Sequence, residues 1–201
     1  MSIKFWLFSL FIDPTFRKAR KAALEIIKGQ KNQLVLDMCA GIGTFPKSVI
    51  QTDNQAIGLD INFKKERFGT IMFQNRNLMC ADASLSPFRN DSFDIITFIY
   101  ALHDKNPALA KKMLSEAERI IRPGGKLIII DYAPPWNFFS FCGHLLRIIT
   151  EILAGHHKNG FSFIRNGGIA SLITGDRFSK TSISKHSHLF SAELAVISIP
   201  Q

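Results

Sequence analysis

Cysteine is scarce: Cys39, Cys80 and Cys142 are the only three in 201 residues, with no C-x-x-C pair and no histidine at a zinc-ligand spacing. That excludes a disulfide framework and any metal site legible from spacing, so no metal is expected. Three buried free thiols in a reducing compartment are expected instead. Tryptophan and tyrosine number two each against 18 phenylalanines, so part of the phenylalanine is expected on a surface that meets something apolar. Acidic residues are short: 16 Asp and Glu stand against 25 Lys and Arg, a net charge of +9. The excess favours anionic partners (nucleic acid, an acidic membrane face, acidic metabolites) without choosing among them. Long apolar runs are missing too. Residues 5–12 (FWLFSLFI) are too few to cross a bilayer, which takes about 20 residues. Only Lys4 precedes them and Asp13-Pro14 follows in place of a small-residue cleavage site, which argues against a signal peptide. The apolar stretch from Phe138 to Leu153 is broken by Arg147 and Glu151. A cytoplasmic chain that touches a membrane surface without spanning it is expected.

What is present suits a single folded domain. A hydrophobic share of 46% with 20% charged residues excludes a disordered chain. The length can bury a core without staples. Three parts are expected: an N-terminal lid and basic helix over 1–30, a binding half over 31–135, and an insertion with a closing hairpin over 136–201. Asp13 and Pro14 cap and open the first helix and Gly29 stops it. Phe16, Ala19, Ala23, Ile26 and Ile27 form its apolar stripe, and Arg17, Lys18, Arg20, Lys21 and Lys28 its other side. Short apolar runs at Leu34–Leu36 and Ala56–Leu59 each end in an aspartate, Asp37 and Asp60. Asn77–Cys80 is a weaker third strand. Phe93–Tyr100 and Lys126–Tyr132 are apolar without alternation, as in strands covered on both faces. Between them Asn106 caps a helix that Pro107 opens and Pro123-Gly124-Gly125 is expected to end. Alternating strands and helices predict a doubly wound α/β fold with a mostly parallel sheet. Farther on, helices are predicted over about 136–153 and 163–173. Phe178–Lys185 and Leu189–Ile199 then read as an antiparallel hairpin turning at His186-Ser187-His188.

The loop after the first strand, LVLDMCAGIGT over 34–44, carries most of the functional signal. Ala40, Gly41 and Gly43 let backbone approach a ligand where a side chain would collide. A dinucleotide fingerprint needs a third glycine at 46, where Pro46 stands, and the Lys-Ser/Thr ending of a phosphate-cradling loop is absent. Asp37 adds an acid to the cradle, which repels phosphate and suits an ammonium group. Asp60 ends the second strand, where a carboxylate accepts both hydroxyls of a ribose. In Ala81-Asp82-Ala83 the acid is placed to meet an exocyclic adenine amine. Each acid alone is an ordinary helix cap or solvated loop residue. In this order they describe a nucleoside bearing an amino acid.

These motifs resemble those of the class I S-adenosylmethionine-dependent methyltransferases. Asp37-x-x-x-Gly41-x-Gly43 is similar to the family's first motif, Asp60 to its ribose acid and Asp82-Ala83 to its adenine contact. Asp94-Ile95-Ile96 with Tyr100-Ala101-Leu102-His103 resembles the fourth-strand motif, and Arg122 to Leu127 the turn before the fifth strand. The resemblance spans about residues 15–135 and is nearest the quinone-biosynthesis type of small-molecule enzyme. Cys39 departs from it, since the family often has glycine there. The resemblance implies S-adenosylmethionine as cofactor, held by Asp37, Ala40, Gly41, Gly43, Asp60, Ile61, Asp82, Ala83 and Tyr100. It also implies a seven-stranded sheet of order 3-2-1-4-5-7-6 with an antiparallel last strand.

On the acceptor side, His103 follows the fourth strand, and His156, His157 and Asn159 lie in the insertion where this family builds acceptor pockets. His103, His156 and Asn159 are the expected catalytic or acceptor-handling residues. A structural hydrogen bond for His103 and a solvated loop for the others are the plainer alternatives. Tyr132 is as well read as packing. The Asn/Asp-Pro-Pro-Tyr/Phe and nucleophilic Pro-Cys signatures of nucleic-acid base methylation are absent. The acceptor expected is therefore a small apolar or membrane-derived molecule, such as a quinone precursor or lipid headgroup. The alternatives are an RNA or protein acceptor on the basic face, which is not favoured, and a non-catalytic binder of the cofactor. Residues 3–12 are expected to act as a lid, or with the cations up to 28 as a peripheral membrane contact.

Overall fold

The computed structural model describes residues 17–74, 77–133, 138, 157–173, 183–189 and 192–201. The expected lid over 3–12, the cap at Asp13-Pro14, Cys142, His156 and nearly all of the helix predicted over 136–153 lie outside the described residues. Among the described residues no helix is long and apolar enough to cross a membrane, and no cluster of His, Cys, Asp and Glu could hold a metal ion.

Seven strands form one sheet: β1 (Leu34–Met38), β2 (Gln55–Asp60), β3 (Leu78–Cys80), β4 (Phe93–Ile99), β5 (Ile121–Tyr132), β6 (Ile183–Leu189) and β7 (Ala192–Ser198). Their order is β3-β2-β1-β4-β5-β7-β6, as the resemblance implied. The pairs from β3 through β5 are parallel, and β7 runs antiparallel to both its neighbours. Helix α1 covers 17–28, followed by α2 (Thr44–Ile50), α3 (Phe63–Phe73), α4 (Pro107–Ile120) and α5 (His157–Arg165).

The unalternating apolar strands are explained by two cores. Val35, Ile95, Ile128, Ile130, Leu194 and Val196 pack on one face with Ala19, Ala23 and Ile27 of α1 and with Phe45 and Val49 of α2. Leu36, Met38, Ile96, Phe98, Leu127 and Ile129 pack on the other with Met113, Leu114, Ala117 and Ile120 of α4. A residue on either face of the central strands is buried, so both parities must be apolar.

Three boundaries differ from expectation. Helix α4 begins as predicted, with Asn106 accepting from the Leu109 amide at 2.8 Å and Pro107 in the first turn. It ends at Ile120, however, and β5 starts at once, because Ile121 already pairs with Phe93. The next pair is Ile95 with Lys126, so Arg122–Gly125 bulge out of the strand and do not stop the helix. The helix predicted over 163–173 begins earlier, at His157, inside the expected polar loop. It gives way to a 3-10 turn (Gly168–Ser171) at Gly167 and Gly168, both at positive φ. In the hairpin, His186, Ser187 and His188 are paired within β6 opposite Ala195, Leu194 and Glu193, so they are strand and not the turn. The thiols also differ from expectation. Cys39 is only half-buried, and Cys80, on the three-residue edge strand β3, is exposed.

Two glycines set how closely α3 and the first loop approach the sheet. A Cβ on Gly69 would lie 2.2 Å from the Ile42 carbonyl oxygen, and one on Gly58 within 3 Å of Leu78, Ala40 and Pro46. Gly69→Ala must therefore push α3 off the loop and should lower stability by about 1–3 kcal/mol in denaturant unfolding. Gly29→Ala serves as control, since its Cβ would meet the Ile26 carbonyl only at 3.6 Å. A change within about 0.5 kcal/mol is expected there.

Candidate functional site

Parallel strands deliver their carboxyl ends to one edge of the sheet, where ligands of such folds bind. Asp37, Asp60 and Asp131 all lie at or beside these ends and all are buried. Each is held differently.

Asp37 is only 4% exposed, and among the described residues its one hydrogen-bond donor is Thr97, whose Oγ1 lies 2.7 Å from Oδ1. Burial raises the Asp37 pKa from 3.8 to about 7, against the opposing pull of Thr97 and the more distant Arg20 charge. A buried carboxylate with one oxygen left over calls for a cationic or hydrogen-bond-donating guest.

Asp60 anchors the glycine loop. Its Oδ2 accepts from the Gly41 amide and its Oδ1 from the Asn62 amide, each at 2.8 Å. The Ala40 amide donates to the Leu59 carbonyl at 2.9 Å and the Gly43 amide to Ala40 at 3.0 Å, so the loop is folded back on the end of β2. Gly41 and Gly43 both have positive φ, and among the described residues a Cβ on Gly41 would meet nothing within 4 Å. The loop is thus tight against the protein at Gly58 and Gly69 and open on the Gly41 side. Ile61, next to Asp60, is 68% exposed. Asp82 turns its own loop, with Oδ1 accepting from the amide and the hydroxyl of Ser84, both at 2.8 Å, while Ala83 is buried. That loop is tied down behind by Glu116, which accepts from the Ser86 amide at 2.9 Å and its hydroxyl at 2.6 Å. The Arg119 guanidinium holds Glu116 below the usual carboxylate range.

At the ends of β4 and β5 the chain builds a second cluster. Tyr100 has φ +53°, and its amide donates to the Ile130 carbonyl at 2.7 Å. Its ring meets Tyr132 edge-on, with centroids 5.6 Å apart. His103 is buried and stacks on Tyr132 at 3.9 Å. Asp131, with no exposed surface, accepts four hydrogen bonds. Leu102 and His103 amides reach Oδ2 at 2.8 and 3.2 Å, and the Tyr132 amide and His103 Nδ1 reach Oδ1 at 2.8 and 2.7 Å. Gly160 of α5 lies against both rings, since a Cβ there would sit 3.8 Å from His103 and 3.9 Å from Tyr132.

The sequence-predicted residues therefore fall into two groups. Asp37, Ala40, Gly41, Gly43, Asp60 and Ile61 share the loop at the ends of β1 and β2, with Asp82 and Ala83 following β3. Tyr100 and His103 belong to the cluster at β4 and β5. His157 and Asn159 lie on α5, but their side chains, like the whole of His156, are outside the described residues. Sequence reasoning missed Asp131, Thr97 and Gly160. Asp131 had a usable signal, an acid at the end of an apolar strand, the same sign that marked Asp37 and Asp60.

Cys39 has φ +66°, a conformation that favours glycine, which accounts for the residue often found there in the resembling family. Burial pushes its thiol up to about 12, so it is an inert side chain in a strained backbone. Cys39→Gly should leave stability level or raise it by up to about 1 kcal/mol, whereas a branched Cys39→Val should lower it by at least about 1 kcal/mol. Urea unfolding midpoints at constant slope would check both.

Residues 36–129 match a family model described as a methyltransferase domain. A demethylmenaquinone methyltransferase of Beutenbergia cavernae is 30% identical over 137 residues, which cover 67% of this chain and 56% of that protein. Its counterpart from Mycobacterium tuberculosis is 30% identical over 154 residues, covering 75% and 63%. The chain thus spans a little over half the length of these relatives. Among solved structures, a SAM-dependent methyltransferase from Aquifex aeolicus superposes with a TM-score of 0.59 at 12% identity, over 90% of this chain and 89% of the other. One from Methanosarcina mazei does so with 0.62 at 16% identity, over 85% and 94%. At these identities the superpositions speak to the fold.

Proposed function

We propose, from the match of residues 36–129 to a methyltransferase domain and from the site geometry above, that this chain is a class I S-adenosylmethionine-dependent methyltransferase and transfers a methyl group to a small apolar acceptor of the quinone-precursor kind. The observation that carries the proposal is the pair of buried aspartates, Asp37 and Asp60, framing a glycine loop that is open at Gly41.

The residues present fit the cofactor. Asp37, with an oxygen to spare, would take the ammonium of its amino-acid end. Gly41 and Gly43 let the backbone come close beside it. Asp60 already uses one lone pair of each oxygen on backbone amides, and the remaining pairs would accept the ribose hydroxyls. Exposed Ile61 offers an apolar surface for one face of the adenine, and Asp82 with Ala83 would meet its edge. When bound, S-adenosylmethionine supplies a methyl group on a positively charged sulfonium, a good leaving group. The chain's own task is then alignment and exclusion of water. Half-buried Tyr100, packed on the buried Tyr132 and His103 rings, stands at the neighbouring strand ends, which suits a flat apolar acceptor. The demethylmenaquinone methyltransferases among the relatives support that class.

Asp37 makes cofactor affinity depend on pH. With its pKa near 7, the ligand-free protein holds a neutral carboxyl below that value, and an ammonium favours the ionised form. Affinity should rise with pH, by up to about tenfold per unit below 7, and level off above it. Asp37→Asn should bind weakly and without this dependence. The linkage to folding has the opposite sense. Because the folded value lies above the unfolded 3.8, the ligand-free chain loses stability from this group as pH climbs from about 4 to about 7. Calorimetric titrations between pH 6 and 8 and unfolding midpoints over pH 4–7 read the two effects.

Asp60→Ala removes acceptors for the ligand and also releases the Gly41 amide. Binding should weaken by about 1.5–3 kcal/mol. Calorimetry with S-adenosylmethionine, its demethylated product and NAD tests the cofactor, and binding of NAD alone would overturn the proposal. Labelled methyl transfer to hydroquinone precursors, set against total RNA and protein, tests the acceptor.

A further inference from the structure

Helix α3 is built against the usual rule for a surface helix: its smallest residue points in and large apolar ones point out. Gly69 is buried, and a Cβ there would lie 2.2 Å from the Ile42 carbonyl oxygen. Phe63 and Ile71, by contrast, are 58% and 63% exposed. Residues four apart share one side of a helix, so Phe63, Arg67 and Ile71 form a single outward stripe with Lys64 on its flank. All four are exposed. Gly69, two positions from both Arg67 and Ile71, falls on the opposite side. An ordinary amphipathic helix turns its apolar stripe to the core, so burial does not explain Phe63 and Ile71.

The charges on the helix say what covers that stripe. Within Phe63–Phe73 three cations, Lys64, Lys65 and Arg67, stand against one acid, Glu66. Glu66 Oε1 accepts from the Thr70 hydroxyl at 3.0 Å, on the side of the helix away from Lys64. Large apolar side chains interleaved with cations suit the boundary of an anionic bilayer. The ring and the branched chain enter the acyl edge, while Lys and Arg reach the headgroup phosphates from the same side. A second copy of this chain fits worse. Packing α3 on α3 would set Lys64 and Arg67 against their own kind, on chains that each carry +9. We propose that the Phe63–Arg67–Ile71 stripe of α3 docks this protein on an anionic lipid surface. The contact is separate from the one expected of residues 3–28, and it uses no residue assigned to the cofactor. Phe63 stands three residues beyond Asp60, so docking sets the rim of the proposed site beside the lipid, where an apolar acceptor collects.

Vesicle co-sedimentation of the full chain, with no cofactor and no acceptor, tests the docking apart from the methyl-transfer reading. Vesicles of phosphatidylcholine with about 30% phosphatidylglycerol should bind the chain, and pure phosphatidylcholine at least about fivefold less well. Binding should weaken as salt rises from about 0.1 to about 0.5 M. The double variant Phe63→Ser, Ile71→Ser should lower partitioning by at least about tenfold, and Lys64→Gln with Arg67→Gln by about fivefold or more. These positions are exposed, so unfolding midpoints should match that of the natural chain. Should the apolar pair not fold, each single substitution carries the same reading. Equal binding to both vesicles, or binding that survives either pair, would overturn the proposal and put the contact on another part of this cationic chain. A dimer in sedimentation velocity that the apolar pair abolishes would give the stripe to a second copy instead. No binding to the anionic vesicles would overturn it outright, whatever the chain methylates.

Discussion

The carboxylate of Asp60 holds the glycine-loop edge of this molecule together, because it bonds the Gly41 amide with one oxygen and the Asn62 amide with the other. The first contact folds the glycine loop back over the end of β2, and the second starts the turn into α3. Asn62 then caps α3 with its own side chain, accepting from the Lys64 and Lys65 amides. A residue that prepares the loop in this way costs a ligand less ordering when it binds. It also means that, under the proposed function, ligand contact and loop geometry are inseparable at this position.

The same edge shows how one residue type takes three roles through its surroundings. Asp37 is buried with a single hydroxyl donor and is pushed towards neutrality. Asp60 is tied to two amides and serves the backbone first. Asp131 accepts four donors, one of them a histidine ring. Parallel strands bring all three together because every crossover returns the chain to the same side, so the carboxyl ends share an edge. The bulge at Arg122–Gly125 lies at the far end of β5 and is stabilised there by Arg122, whose Nη1 lies 2.6 Å from Asp94. Asp94 also accepts from the Leu34 amide at 2.8 Å, which locks the first strand to the fourth.

Much of the architecture was legible in the sequence. Apolar runs ending in Asp37 and Asp60, a Pro-opened helix at Pro107 and an Ala-Gly-x-Gly turn point to a doubly wound sheet, because each pattern reflects a local rule of backbone or burial. The element ends were less legible where a partner strand decided them. His186-Ser187-His188 has the look of a turn, but pairing with β7 makes it part of β6. Pro123-Gly124-Gly125 has the look of a helix stop, but pairing of Ile121 with Phe93 had already ended α4.

For the site, the sequence alone determined the cradle: the small residues at 40, 41 and 43 and the acids at 37, 60 and 82 stand at or just after the ends of the first three strands, and turn chemistry is local. Only the tertiary structure decided what each acid does. The pKa of Asp37 depends on its burial and on Thr97, which is far away along the chain but adjacent across the β1–β4 pair. The pairing of His103 with Asp131 likewise depends on β4 and β5 lying side by side. Charge state and hydrogen-bond partners are set by neighbours from other strands, and no spacing along the chain encodes which strands become neighbours.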